Sequence, residues 1–249
     1  MTMTKNFELI VLDTPHAAEL RTAQLVVETV NAHPKAALGL ATGRSMISVY
    51  AQVVRDFRAG KVSFAGSTSF NLDEYCDLPA SHPSSFASYM RQHLFDHVDF
   101  APHSWHLPDS AGTEASANAY EQAIVDAGGI EMQLLGVGRN GHIGFNEPGS
   151  PGNSRTRKVL LDQSTRDANA PDFPAGEEVP EYAVTMGIAT ILSARRIVLL
   201  ATGPAKAEAL QRAFEGPVDA DCPASFLQLH NHVTVICDPA AASALAVDA

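Results

Sequence analysis

Cysteine is scarce and scattered. Cys76, Cys222 and Cys237 stand alone in 249 residues, with no CxxC pair. That pattern offers no disulfide framework, and it fits a reducing, cytoplasmic compartment. Blocks of Lys or Arg are also missing. Lys and Arg total 17 against 28 acidic residues, a formal charge of −11 with the acids spread along the chain. Without a basic stripe, nucleic acid and anionic membrane are poor partners. A small anionic substrate stays compatible, because a few local donors can override net charge. Long apolar runs are absent too. The stretch MTMTKNFELIVLD holds only a short one, ended by Asp13, too short for a signal-peptide core or a membrane span. There is no internal repeat and no low-complexity tract.

What is present is ordinary globular composition, 45% hydrophobic and 18% charged, with ample material for a core. The expectation is one domain over residues 1–249. Apolar runs at Phe7–Leu12, Ala36–Ala41, Ser67–Leu72, Glu131–Val137, Arg196–Thr202 and His232–Asp238 read as strands, most of them apolar on both faces. Helical patterns fill Pro15–Asn31, Met46–Arg58, Phe86–His97, Glu114–Ala127 and Ala205–Phe214. Such alternation implies an α/β fold: a doubly wound, mostly parallel sheet with helices on both faces, Rossmann-like. Asp167–Ala183 breaks the rhythm, with three prolines, one glycine and four acids after its first residue. A candidate active-site lid is therefore placed within residues 150–185.

In open α/β sheets ligands bind beyond the carboxyl ends of the strands. Three polar loops should converge there. Thr42-Gly43-Arg44-Ser45 joins a strand to a helix. Gly43 allows a tight turn, Thr42 or Ser45 can cap the helix, and the free N–H groups favour an anion that Arg44 could also grip. Asp73 and Glu74 follow another strand, and alternation aims them in opposite directions. The densest loop is GRNGHIGFNEP, Gly138–Pro148. There His142 can take and give a proton near neutrality, Glu147 can orient it, Asn140 can supply a donor or acceptor, and Gly136, Gly138, Gly141 and Gly144 permit close approach. Lys206 near a helix start runs against the dipole preference, which a bound anion would explain. His93 and His97, spaced i, i+4 without a nearby Glu, read as a surface or half-buried pair, and LHNHV reads as a loop before the last strand.

These motifs occur in order along nearly the whole chain: LGLATG, FNLDEY, HPSSF, GVGRNGHIGFNEPG, SRTR, TMGIATIL, GPAK and PASFLQLH. Together they resemble the glucosamine-6-phosphate deaminase (isomerising) family, in the superfamily shared with the 6-phosphogluconolactonases. Asp-Glu-Tyr and Phe-Asn-Glu-Pro favour the deaminase over the lactonase. The resemblance implies conversion of glucosamine 6-phosphate and water to fructose 6-phosphate and ammonia, with no metal and no organic cofactor. It implies that Asp73 moves the C2 proton toward C1. His142 opens the pyranose ring, assisted by Asn140 and Glu147, while Lys206 and the loop Thr42–Ser45 bind the phosphate and Gly138 lines the substrate site. The implied partner is a small sugar phosphate, with homo-oligomerisation left open. Galactosamine 6-phosphate and a lactonase-type hydrolysis are the alternatives, and a non-catalytic sugar-phosphate binder is the third class. In relatives the lid carries a phosphate-gripping Arg where this chain has Pro171; Arg44, unusual at its place, is expected to replace it. SRTRK matches a region that forms an effector site in some relatives with a longer C-terminal tail, and no allostery is expected.

Overall fold

The structure is a computed structural model that describes residues 7–246. Ten strands and eight α-helices are arranged around two sheets. In chain order they are β1 (Phe7–Val11), α1 (Pro15–Ala32), β2 (Ala37–Leu40), α2 (Arg44–Arg58), β3 (Thr68–Asn71), β4 (Asp73–Tyr75), α3 (Phe86–His93), β5 (Trp105–His106) and α4 (Glu114–Asp126). Then follow β6 (Met132–Gly136), β7 (Arg157–Leu160), α5 (Gln163–Asn169), β8 (Tyr182–Thr185), α6 (Ile188–Leu192), β9 (Arg196–Ala201), α7 (Ala207–Glu215), β10 (Val233–Cys237) and α8 (Pro239–Ala242).

The larger sheet has seven strands in the order β1-β10-β9-β6-β2-β3-β5, every pairing parallel. Its inner strands β2 and β10 are buried at every residue, because helices cover both faces. From β2 the chain winds outward through β3 to β5. It then returns to β6, beside β2, and winds the other way through β9 to β10. The carboxyl ends of β2 and β6 thus flank a topological switch point, where the connections diverge and leave a crevice.

The second sheet is small and antiparallel, ordered β4-β8-β7, with Asp73 and Arg157 both in register with Thr185. Leu72 joins the two sheets. Its N–H donates to the Leu40 carbonyl at 3.0 Å, and its own carbonyl accepts from Met186 N–H at 2.7 Å. A satellite apolar cluster of Tyr75, Phe145, Leu161, Phe173, Val179 and Ala183 packs beside this sheet, apart from the main core.

Several expected boundaries shift. The α2 helix starts at Arg44 rather than Met46, and its N-cap is Gly43 (φ 109°) with no side-chain cap bond. Neither Thr42 nor Ser45 caps it, because a positive φ at the cap position selects glycine. The helix expected over Phe86–His97 ends at His93, and a 3-10 turn follows at Phe95–His97. That expected from Ala205 begins as a 3-10 turn, Pro204–Lys206, before α7. The patternless Asp167–Ala183 stretch contains the end of α5, a 3-10 turn at Ala170–Asp172 and the start of β8. Among the described residues no helix is long and apolar enough to cross a membrane.

Candidate active site

A cavity of about 540 Å³ opens at the switch point, within the usual range for small-molecule sites. All three polar loops reach it: Thr42, Gly43, Arg44 and Ser45 after β2, Asp73 after β3, and Gly138 and His142 after β6. Lys206 lines it as well. Asn140 and Glu147 are not among the lining residues; they lie behind His142 and bond to it.

That arrangement is built from short contacts. His142 Nδ1 lies 3.3 Å from Glu147 Oε2. Asn140 Nδ2 donates to the same oxygen at 2.8 Å, and Asn140 Oδ1 accepts from the His142 backbone N–H at 3.1 Å. Thr165 on α5 donates its hydroxyl to Glu147 Oε1 at 2.5 Å. Burial alone would raise the Glu147 carboxyl, but the hydrogen bond and charge of His142 and the bonds from Thr165 and Asn140 outweigh it and hold the carboxyl low. With Nδ1 engaged, Nε2 is the ring nitrogen left for a substrate. The Nε2 edge of the ring lies over Gly138, where a Cβ would come within 2.4 Å of it. Only glycine leaves room for the imidazole there.

Asp73 and Glu74 do point apart, with different fates. Glu74 turns back to the start of α3, accepting from the N–H groups of Tyr75, Phe86 and Ala87, each at 2.9 Å. It is a structural cap. Asp73 is buried beside the cavity, with Oδ2 3.4 Å from the place a Gly144 Cβ would take. Burial first, and the neighbouring Glu74 charge second, push its carboxyl up to about 8. An acid in that range can both hold and release a proton at physiological pH.

The anion-binding features gather at the other end. The loop after β2 is pinned from behind: Tyr50 donates to the Ala41 carbonyl, and Tyr89 donates to the Gly43 carbonyl at 2.7 Å. The first N–H groups of α2 lack intrahelical acceptors, and Gly43, Arg44 and Ser45, which carry them, line the cavity. Lys206 reaches in from its 3-10 turn, its ammonium 2.8 Å from the Val137 carbonyl. Burial, aided by the nearby Arg139 charge, lowers its pKa. Two cations placed side by side are costly without an anion between them. Arg139 was not singled out in the sequence, although it sits inside the glycine-rich motif. Thr165 was also missed, and nothing in its local sequence marks it. Arg44 lines the cavity and pairs with Asp172, the residue after Pro171, at 3.0 Å.

Other histidines lie elsewhere in role. The His93 ring packs on Tyr89 at the cavity wall, and His97 Nε2 contacts the Gln92 carbonyl. His230 and His232 lie between a 3-10 helix and β10, as expected. Among the described residues no group of three or more His, Cys, Asp or Glu could hold a metal ion.

An open α/β sheet with an imidazole, a near-neutral carboxyl and an anion cradle at its switch point defines an acid–base catalyst for a small anionic substrate. Comparison with known proteins places it more closely. Residues 13–236 match the family described as glucosamine-6-phosphate isomerases/6-phosphogluconolactonase, and the chain belongs to that family. A glucosamine-6-phosphate deaminase of Rhodopirellula baltica is 49% identical over 240 residues, 96% of each chain. Glucosamine-6-phosphate deaminase 2 of Bacillus subtilis is 49% identical over 228 residues, 90% of this chain and 91% of its own. A solved monomeric glucosamine-6-phosphate deaminase superposes with a TM-score of 0.92 at 43% identity, covering 95% of this chain and 99% of that one. The 6-phosphogluconolactonase of Trypanosoma cruzi, at 22% identity and TM-score 0.79, covers 98% of this chain and 99% of its own and shares the fold.

Proposed function

We propose that the chain converts glucosamine 6-phosphate and water to fructose 6-phosphate and ammonia. The observation that carries this reading is that Asp73 and His142, the two proton-handling groups, line one cavity with the cationic Lys206 and the loop after β2. The deaminase relatives of nearly equal length support the same substrate.

The phosphate is held by the N–H groups at the start of α2, by Lys206 and by Arg139 and Arg44 at the rim. His142 takes the proton of the C1 hydroxyl through Nε2 and returns one to the ring oxygen, opening the pyranose. Glu147, fixed by Asn140 and Thr165, keeps the ring aimed and is a positioning residue. Asp73 as carboxylate then removes the C2 proton while the substrate's C2 ammonium gives up a proton to the C1 oxygen, forming the C1–C2 enolamine, and Asp73 delivers its proton to C1. The resulting C2 imine is hydrolysed by water, leaving the ketone and ammonia. Each proton-transfer group contributes about 10²–10⁴ in rate.

Segment 163–173 carries Thr165, Asn169, Asp172 and Phe173 into the cavity wall, and we assign it as the lid. All three cysteines are buried free thiols, which suits a cytoplasmic setting. The test is ammonia release from glucosamine 6-phosphate and galactosamine 6-phosphate side by side, with 6-phosphogluconolactone hydrolysis as a third arm. Ammonia from the gluco epimer is expected. Lactone hydrolysis without ammonia release, or tight binding without turnover, would overturn the reading.

A further inference from the structure

The rim of the cavity carries an ion pair whose acidic member the reaction above does not use. Arg44, the first residue of α2, meets Asp172 on the 3-10 turn that follows α5, bridging two walls of the cavity mouth. The contact runs from one nitrogen, Nη2, to one oxygen, Oδ1, at 3.0 Å. Both side chains are more than half exposed, 68% and 56%. Such pairs are weak and easily exchanged. Asp172 itself is held from behind: its backbone carbonyl accepts from Ser84 Oγ at 3.0 Å, and Asn169 of the same segment donates to the Tyr75 hydroxyl at 2.9 Å. The carboxylate is thus presented to Arg44 by an anchored turn. Among the described residues, Asp172 and the buried Asp73 are the carboxylates that line this cavity.

We propose that Asp172 is an internal competitor for Arg44, a stand-in anion that the substrate phosphate displaces on binding and that recaptures the guanidinium when product leaves. This rests on the reading of the cavity as a phosphate-ester site. A phosphate dianion at the start of α2 offers Arg44 two acceptor oxygens in a geometry that matches its fork, where Asp172 offers one. The dianion and the Asp172 carboxylate also repel each other across the mouth, so Arg44 is drawn to the phosphate as Asp172 is released from it. Asp172 therefore lowers the apparent affinity for phosphate by the cost of breaking one exposed pair, and it speeds release. Its role is to set affinity, without touching the reacting carbons.

Inorganic phosphate titrated calorimetrically into the full chain tests this, at roughly pH 8, where phosphate is a dianion. Salt at about 0.3 M keeps simple through-space repulsion screened. Four proteins form the cycle: wild type, Asp172→Asn, Arg44→Gln and the double variant. Asp172→Asn should bind phosphate about three- to five-fold more tightly, the worth of one exposed ion pair. Arg44→Gln should bind more weakly than wild type, and adding Asp172→Asn to it should change the affinity by less than about 1.5-fold. The proposal is overturned if Asp172→Asn binds phosphate no more tightly, if its gain is equal in the Arg44→Gln background, or if phosphate binds none of the four. Failure to release ammonia from glucosamine 6-phosphate would instead sink the assigned reaction, and the phosphate cycle would still decide the exchange.

Discussion

Gly138→Ala tests the site more sharply than removal of a proton-handling group, because it adds one methyl and no charge. Gly138 is not among the left-handed glycines, so alanine fits its backbone. The obstacle is the imidazole of His142: the new Cβ would lie 2.4 Å from Cε1 and Nε2 and 2.5 Å from Cδ2. Carbon contacts settle near about 3.5–4.0 Å, so the ring must retreat by roughly 1.1–1.6 Å. Its retreat is not free, because Glu147 behind it is held by Asn140 and Thr165. A displacement of about 1 Å in a catalytic group costs on the order of 10²-fold. The expected outcome is a fall of about 10²-fold in kcat for ammonia release from the cyclic sugar phosphate. The dissociation constant for inorganic phosphate should stay within about two-fold, since the anion loop after β2 is untouched. In a His142→Gln background the same methyl should cost less than about three-fold, because two changes acting through one ring do not add. A Gly138→Ala enzyme with near wild-type kcat, or an undiminished loss in the His142→Gln background, would refute the role given to the ring and to its glycine platform.

Three further outcomes are expected. Asp73→Asn should abolish exchange of the C2 hydrogen with solvent while phosphate binding persists; exchange at the normal rate contradicts its assignment. Because the Asp73 carboxyl is pushed up to about 8 and the base form is the active one, kcat/KM should climb as pH rises toward that value and then level. A profile flat from about pH 6 to 8 would place the base elsewhere. Glu74→Ala strips acceptors from two backbone N–H groups at the start of α3, Phe86 and Ala87, and from the N–H of Tyr75 in β4. It should destabilise the fold by about 2–4 kcal/mol in denaturant melts, and a loss below about 0.5 kcal/mol would show that the cap is dispensable.

The large sheet was legible because β2, β6, β9 and β10 are mostly apolar on both faces, the pattern of strands buried between two helical layers. The small sheet was not. Its strand β4 is Asp-Glu-Tyr, and two acids in three residues resemble a loop until the partner of Glu74 is known to lie at the start of α3, thirteen residues on. The β7 strand has exposed positions alternating with half-buried ones, too few to set a period. At the site, His142, Asn140 and Glu147 lie within eight residues, so their cooperation could be read from one motif. Thr165 could not: it reaches Glu147 only because α5 forms part of the cavity wall. Arg44 was expected to stand in for an arginine missing at Pro171, and the structure puts it against the very next residue, Asp172. Thr42 or Ser45 could have capped α2, but the N-cap is Gly43, with positive φ and no side-chain cap bond.

The division of apolar packing into two clusters reaches beyond architecture. Phe145, from the glycine-rich loop, is buried with Tyr75, Phe173 and Ala183 in the smaller one, and Tyr75 is two residues from Asp73. His142 stands on a loop rooted in the larger one through β6. Phe145 and Tyr75 thus tie the His142 loop to the Asp73 strand, and heat or denaturant that loosens the minor cluster alone would disturb the spacing of the two groups while the seven-stranded sheet stayed intact. Catalysis is then expected to fail before the fold does, and an activity-based melting curve should lie below a spectroscopic one.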